Sequence, residues 1–201
     1  MKLIEKDKIT GESKLVDTVI NKDVRRGLQC LPDNYIDMII TSPPYWGLRN
    51  YNVDGQIGQE SSPEKYVETM RSVFSAARRV LKETGTLWLN LGDTYMSGGS
   101  PSRHHGYSDP KNKKGRNIDF HEPQSNKHET IKPKDLVGIP WRVALALQQD
   151  GWYLRSDIIW HKPNAMPESA QDRPTRDHEY IFLFSKNQKY YYDADAIREP
   201  H

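Results

Sequence analysis

The stretch Thr41-Ser42-Pro43-Pro44-Tyr45-Trp46 places rigid hydrogen-bond acceptors directly beside aromatic rings. Each proline fixes φ and removes a backbone N–H donor, and the residue before a proline is pushed towards extended geometry. The carbonyl oxygens of Ser42 and Pro43 are therefore expected to be fixed acceptors beside the flat face of Tyr45. This arrangement suits a planar base whose exocyclic amino group donates to the oxygens while its ring stacks on the tyrosine. The structural alternative is an extended turn with an aromatic side chain packed beneath it.

The position of this stretch in the chain favours the binding interpretation. It follows the apolar and β-branched segment 35–40 (YIDMII), which predicts a buried strand. Two other loops leave the ends of predicted strands, at 22–23 (Lys-Asp) and at 90–93 (Asn-Leu-Gly-Asp). Because ligands of open α/β sheets bind beyond the carboxyl ends of the strands, we expect these loops to lie near one site.

The rest of the sequence alternates predicted strands and helices. The strands are expected at 16–22, 35–40, 86–91, 152–160 and 178–184, and the helices at 24–30, from 61–63 to Gly85, and at 140–149. The last two strands lack a helix between them and are expected to pair antiparallel at the edge of the sheet. The predicted fold class is therefore α/β, with a mostly parallel sheet and an antiparallel edge pair.

The composition is that of one ordinary folded domain. The 201 residues are 35% hydrophobic and 28% charged, with a net charge of +2. Cys30 is the only cysteine, which excludes an intramolecular disulfide framework and a cysteine-rich zinc site. The histidines at 104, 105, 121 and 128 lack tight ligand spacing, so no metal is expected. No apolar run reaches membrane-spanning length and the charged N-terminus has no signal-peptide core, so we expect a cytoplasmic protein.

Residues 97–134 form a polar insert in which the basic charge is concentrated. It contains eight Lys or Arg and four Asp or Glu, for a local charge of +4. A solvated loop and a loop that follows nucleic-acid phosphates are both consistent with this composition.

Four segments together resemble the amino-methylating DNA methyltransferases, in the permuted class whose catalytic half comes first. They are DVRRGLQCLPDNYIDMIITSPPYWGLRNY, LKETGTLWLNLGDTY, KPKDLVGIPWRVALALQQDGWYLRSDIIWHKPN and DRPTRDHEYIFLFSK, within residues 16–193. This family transfers a methyl group from S-adenosylmethionine to N4 of cytosine or N6 of adenine in double-stranded DNA. The resemblance implies that residues 1–201 are the catalytic part of a Rossmann-like methyltransferase domain.

The resemblance also implies a role for each candidate residue. The target base would be held by Ser42, Pro43, Pro44 and Tyr45, and a serine before Pro-Pro favours N4 of cytosine. The residues near the cofactor would be Asp23, Thr41, Trp46, Asn90 and Asp93. Ordinary packing for Trp46 and a turn for Asp93 are the alternatives. The DNA contacts would be Arg103, Lys113, Lys114, Arg116, Lys162 and Arg173, with ordinary turn chemistry as the alternative for the last two.

One motif of the family does not occur in this sequence. Permuted members carry a glycine-rich loop of the form Phe-x-Gly-x-Gly for the methionine end of the cofactor. The resemblance therefore implies an incomplete sheet, weak or no cofactor binding and no robust turnover by this chain. The chain would be the catalytic half of a longer enzyme that a C-terminal half completes, a truncated product, or one piece of a split enzyme. A non-catalytic DNA-binding remnant is one alternative, and methylation of RNA or of a protein glutamine is another. The recognition sequence and the oligomeric state do not follow from these residues.

Overall fold

The computed structural model describes residues 2–4, 18–96 and 128–199. No helix in these ranges is both long and apolar enough to span a membrane. The elements, in chain order, are β1 (Lys2–Ile4), β2 (Thr18–Ile20), α1 (Val24–Gln29), β3 (Ile36–Thr41), α2 (Pro63–Val80), β4 (Leu81–Leu91), α3 (Ile139–Gln149), β5 (Tyr153–His161), β6 (His178–Ser185) and a 3-10 turn (Asp195–Ile197).

Four strands form the central sheet, in the order β3-β4-β6-β5. β3 and β4 are parallel, whereas β6 runs antiparallel to both of its neighbours. In this register Leu91 pairs with Tyr180, and His161 pairs with His178. One end of the strands, where ligands of such sheets bind, therefore holds the last residues of β3, β4 and β5 and the first residues of β6. The α/β class and the antiparallel pairing of the last two strands are confirmed.

Helix α2 is shorter than its apolar pattern predicted. It ends at Val80 rather than at Gly85, and Leu81 is already extended, with ψ of 136°. The carbonyl of Val80 accepts a hydrogen bond of 2.8 Å from the N–H of Tyr35, just before β3, so it is bonded outside the helix. The core that α2, α3 and the sheet enclose includes Tyr66, Met70, Phe74, Leu87, Leu89, Leu147, Phe182 and Phe184.

The first two predicted strands differ from expectation. β3 is not a buried strand, because Met38 and Ile40 are 52% and 71% exposed while Ile39 packs against the core. Alternate side chains of a strand point to opposite faces, so the face of β3 that carries Met38 and Ile40 is open while the other face packs against the core. The strand predicted at 16–22 is β2, which pairs with β1 in a separate two-stranded sheet instead of joining the central one.

The C-terminal end of the predicted insert is packed against the domain. Residues 97–127 lie outside the described part of the chain. Ile131 is only 5% exposed and belongs to the core. The backbone of Met96 bonds to that of Lys134 and of Asp135, each at 2.9 Å, so the chain on the two sides of the insert is held together.

Candidate active site

The tetrapeptide of residues 42–45 is joined to β4 and β6 by a group of side-chain oxygens. The Oη atom of Tyr45 lies 2.7 Å from Oδ1 of Asn90 and 3.0 Å from Oε2 of Glu179. The Oγ atom of Ser42 lies 3.2 Å from both Tyr45 Oη and Asn90 Oδ1. The amide nitrogen of Asn90 donates to the carbonyl of Tyr180 at 3.1 Å, which directs Oδ1 towards the hydroxyls. We call these four atoms (Ser42 Oγ, Tyr45 Oη, Asn90 Oδ1 and Glu179 Oε2) the oxygen cluster.

The tetrapeptide is held rigidly on its inner side. A β-carbon on Gly92 would lie 2.5 Å from Cε2 of Tyr45, so only a hydrogen atom fits between this backbone and the ring. The hydroxyl of Tyr66 donates to the carbonyl of Pro44 at 2.9 Å. That carbonyl is therefore occupied. The role of base acceptor stays a prediction for the carbonyls of Ser42 and Pro43.

Glu179 enters the site from the start of β6, with a lysine as its partner. The Nζ atom of Lys162 lies 3.1 Å from Oε1 of Glu179, and 4.0 Å from the centroid of the Trp160 ring. Burial alone would raise the pKa of Glu179, but hydrogen bonds from Lys162, Tyr45 and Asn90 outweigh it and lower the pKa below the ordinary value. Glu179 is thus an ionised carboxylate that accepts hydrogen bonds.

The pKa of the Tyr45 hydroxyl is shifted in the opposite direction from that of Glu179. Burial raises the pKa of Tyr45 to about 12; the hydrogen bond with Ser42 opposes this shift and the charge of Glu179 adds to it. Tyr45 is therefore neutral near pH 7 and acts as a hydrogen-bond donor rather than as a base.

Sequence reasoning did not select Glu179 as a site residue. Its signal was available, since Glu179 is the one acid in β6 (HEYIFLFS) and stands at the start of that strand. Its approach to Asn90 depends on the antiparallel pairing of β4 with β6, which the sequence pattern did not predict.

Asp93 stabilises a helix terminus. Its Oδ1 accepts from the backbone N–H groups of Thr94 and Ile139, each at 2.9 Å, and its Oδ2 accepts from that of Gly138 at 3.1 Å. Gly138 is the N-cap of α3 and has no side chain to cap it, so Asp93 supplies the cap from the end of β4. This geometry favours the structural alternative for Asp93 over a direct cofactor contact.

The other predicted cofactor residues lie in different surroundings. Asp23 is the N-cap of α1; it accepts from the N–H of Arg25 at 3.1 Å, and the hydrogen bond from the Arg25 side chain lowers its pKa. Within the described residues, Asp23 has no hydrogen bond to the oxygen cluster. Trp46 donates from Nε1 to the carbonyl of Glu60 at 2.9 Å and packs against the core. Thr41 is the last residue of β3, so Thr41 and Trp46 both flank the tetrapeptide.

Two of the six predicted DNA contacts are described, and both are already paired with acids. Lys162 bonds to Glu179, while Arg173 lies 3.9 Å from the centroid of the Tyr95 ring and pairs with Glu168. The candidates outside the described residues are Arg103, Lys113, Lys114 and Arg116. In the described ranges no group of three or more His, Cys, Asp or Glu is placed to hold a metal ion.

The sheet matches those of solved methyltransferases. The PvuII DNA methyltransferase (cytosine-N4-specific) aligns with a TM-score of 0.60 at 16% identity, over 88% of this chain and 51% of that one. A putative DNA modification methylase from Thermus thermophilus, complexed with S-adenosyl-L-methionine, aligns with a TM-score of 0.53 at 18% identity. The alignment covers 87% of this chain and 55% of that one. The predicted Rossmann-like methyltransferase fold is confirmed.

Sequence comparison then gives the family. Residues 36–201 match the model of the N6/N4 methyltransferases, described as DNA methylase, and the chain belongs to this family. It is 54% identical to the type II methyltransferase M.SmaI of Serratia marcescens, over 90% of this chain and 60% of that protein. It is 52% identical to the type II methyltransferase M.Cfr9I of Citrobacter freundii, over 90% of this chain and 58% of that protein. The chain thus spans somewhat less than two thirds of these relatives.

Proposed function

We propose that this chain is the base-binding part of a DNA methyltransferase that uses S-adenosylmethionine to methylate an exocyclic amino group. The observation that carries the proposal is the rigid tetrapeptide 42–45, joined to the oxygen cluster at the ligand-binding edge of the sheet, in a chain of the DNA methylase family. The type II methyltransferases among its relatives support a modification enzyme that acts at a specific double-stranded DNA sequence.

The residues of this chain would position the base. A flipped base stacks on Tyr45, and its amino group donates to the carbonyl oxygens of Ser42 and Pro43. Donation to these oxygens would leave more electron density on the amino nitrogen. When bound, S-adenosylmethionine supplies the methyl group on a sulfonium. The new N–C bond would form as the C–S bond of the sulfonium breaks and the thioether leaves, and the amino group would lose one proton to solvent. Alignment of nitrogen and methyl accounts for most of the expected rate enhancement.

The described residues fit the cofactor only in part. The carboxylates of Asp23 and Asp93 cap helices, and the indole N–H of Trp46 is bonded to a backbone carbonyl. We therefore place the main cofactor site in a C-terminal half that works with this chain. Isothermal titration of the 201-residue chain with S-adenosylmethionine should show no micromolar binding. Micromolar affinity would contradict this division of the site.

We favour N4 of cytosine as the acceptor over N6 of adenine. Ser42 stands before Pro-Pro, where the adenine enzymes of the family more often carry Asp or Asn. The serine hydroxyl is uncharged and can accept from an amino group while it donates elsewhere. N6 of adenine is the alternative target.

A transfer assay tests the proposal. The chain, with and without the C-terminal half of a close relative, is incubated with labelled S-adenosylmethionine and DNA, and the DNA is digested to nucleosides. We expect N4-methylcytosine when both halves are present, and its loss in Ser42→Ala but not in the control Glu68→Gln, on the exposed face of α2. Salt-dependent DNA binding without transfer would instead identify a DNA-binding module.

A further inference from the structure

The oxygen cluster holds more acceptors than protons. Four of its oxygen–oxygen distances are 2.7, 3.0, 3.2 and 3.2 Å, all within hydrogen-bond range. Only two of the atoms carry a hydrogen, Oγ of Ser42 and Oη of Tyr45. Two protons cannot serve four contacts, so the cluster attracts further donors.

The direction of each available proton is restricted. Asn90 presents its oxygen, because its amide nitrogen donates to the carbonyl of Tyr180 at 3.1 Å. Glu179 presents an ionised carboxylate, because Lys162 lies 3.1 Å from its other oxygen. Oδ1 of Asn90 and Oε2 of Glu179 can only accept, so the protons of Ser42 and Tyr45 point into the cluster.

The consequence for Ser42 is a fixed polarity. With its proton directed inward, the lone pairs of this exposed hydroxyl face the site. An amino group that enters the site finds an acceptor there, whereas a keto oxygen would meet another oxygen without a proton between them.

We propose that Glu179, held by Lys162, is a positioning residue that fixes Ser42 as an acceptor, so that the site takes a base with an amino group and rejects its keto analogue. This inference rests on the proposed methyltransferase function. Glu179 acts through the hydroxyl of Tyr45 and does not itself touch the base.

Glu179→Gln in the complete enzyme, this chain joined to its C-terminal half, is the direct test. Glutamine preserves the shape, but its amide can donate to Tyr45 Oη, which releases the Ser42 proton to point outward. We expect kcat to fall about 10- to 100-fold, as for loss of a charge-assisted hydrogen bond, with KM for DNA within threefold. Glu68→Gln, which alters an exposed pair with Arg71 on α2, is the matched control and should behave as wild type.

Discrimination is a readout that a purely structural role would not change. Binding is compared for two oligonucleotides, one with the target base and one with its keto analogue (uracil for cytosine, or hypoxanthine for adenine). We expect the wild-type preference for the amino base to fall about tenfold in Glu179→Gln. Lys162→Met should also lower the preference for the amino base over the keto base. This variant leaves all four cluster atoms in place, so it tests the inference even if Glu179→Gln folds poorly.

A double-mutant cycle shows whether Glu179 acts through Tyr45. In a Tyr45→Phe background the hydroxyl is gone, so Glu179→Gln should have no further effect on kcat. An equal loss in both backgrounds, or an unchanged preference for the amino base, would overturn the inference while wild-type methylation stands. A wild-type enzyme that transfers no methyl group to DNA overturns the proposed function, and the inference with it.

Discussion

Gly92 is the point where the backbone of β4 comes closest to the proposed base-stacking ring. A β-carbon built there would lie 2.5 Å from Cε2 and 2.7 Å from Cδ2 of Tyr45, whereas ordinary contact begins near 3.4 Å. Gly92→Ala therefore requires the ring to move by about 1 Å. Both atoms belong to a ring whose hydroxyl is bonded at 2.7 and 3.0 Å, so the ring cannot move without loss of those bonds.

The expected magnitude follows from this clash. Overpacking in a well-packed region costs about 1–3 kcal/mol, which corresponds to a decrease in Tm of roughly 2–12 °C for a domain of this size. Because misplacement of a reactive geometry by 1 Å costs about 100-fold in rate, methylation by the complete enzyme should fall by a similar factor.

The assay compares Gly92→Ala with Gly27→Ala. A β-carbon at Gly27 would lie 3.8 Å from Cγ2 of Ile20, an ordinary contact, and its position in α1 favours alanine over glycine by about 1 kcal/mol. Thermal unfolding of the chain and methylation by the complete enzyme are measured for both variants. If Gly92→Ala keeps both the Tm and the rate of the wild type, the Tyr45 ring does not occupy the place we assign to it.

Three further predictions concern neighbouring side chains. Asp93→Ala should lower the free energy of unfolding by about 0.5–2 kcal/mol, since α3 loses its N-terminal acceptor; urea denaturation measures this, and an unchanged midpoint would refute the capping role. Glu179 has a folded-state pKa below its ordinary value, so its stabilising contribution is present above an unfolded pKa of about 4.3 and is lost as the pH falls through the lower folded value. The difference in Tm between wild type and Glu179→Gln should therefore shrink from pH 7 to pH 3, and a constant difference would contradict the pairing. Tyr45→Ala should weaken the binding of target DNA by the complete enzyme by about 1–3 kcal/mol, measured by fluorescence anisotropy, and equal binding would exclude stacking there.

Local sequence features predicted the parts of the site that depend on local geometry. The prolines at 43 and 44 restrict their own backbone, so the rigid exit from β3 follows from the residues themselves. The helices α2 and α3 followed from apolar periodicity together with prolines at their first turns. The α/β class followed from the alternation of these elements.

The features that the sequence did not predict depend on distant partners. The cap of α3 comes from Asp93, 45 residues before the Gly138 whose N–H it accepts, and no local pattern indicates such a cap. Glu179 is 134 residues from the Tyr45 hydroxyl that it orients. The exposure of Met38 and Ile40 depends on whether another element covers their face of the sheet, although the β3 sequence has the apolar character of a buried strand.

The direction of β6 explains why a carboxylate reaches this site. In an all-parallel sheet every strand would contribute its last residues to the ligand-binding edge. β6 is antiparallel, so it contributes its first residues, and Glu179 lies beside the end of β4, whereas the opposite direction would place the buried Ser185 there. The β5–β6 connection then brings Lys162 to the same edge, where it pairs with Glu179. The antiparallel strand thus adds a charged pair to a site whose other groups are neutral, and the fixed polarity of Ser42 depends on that charge.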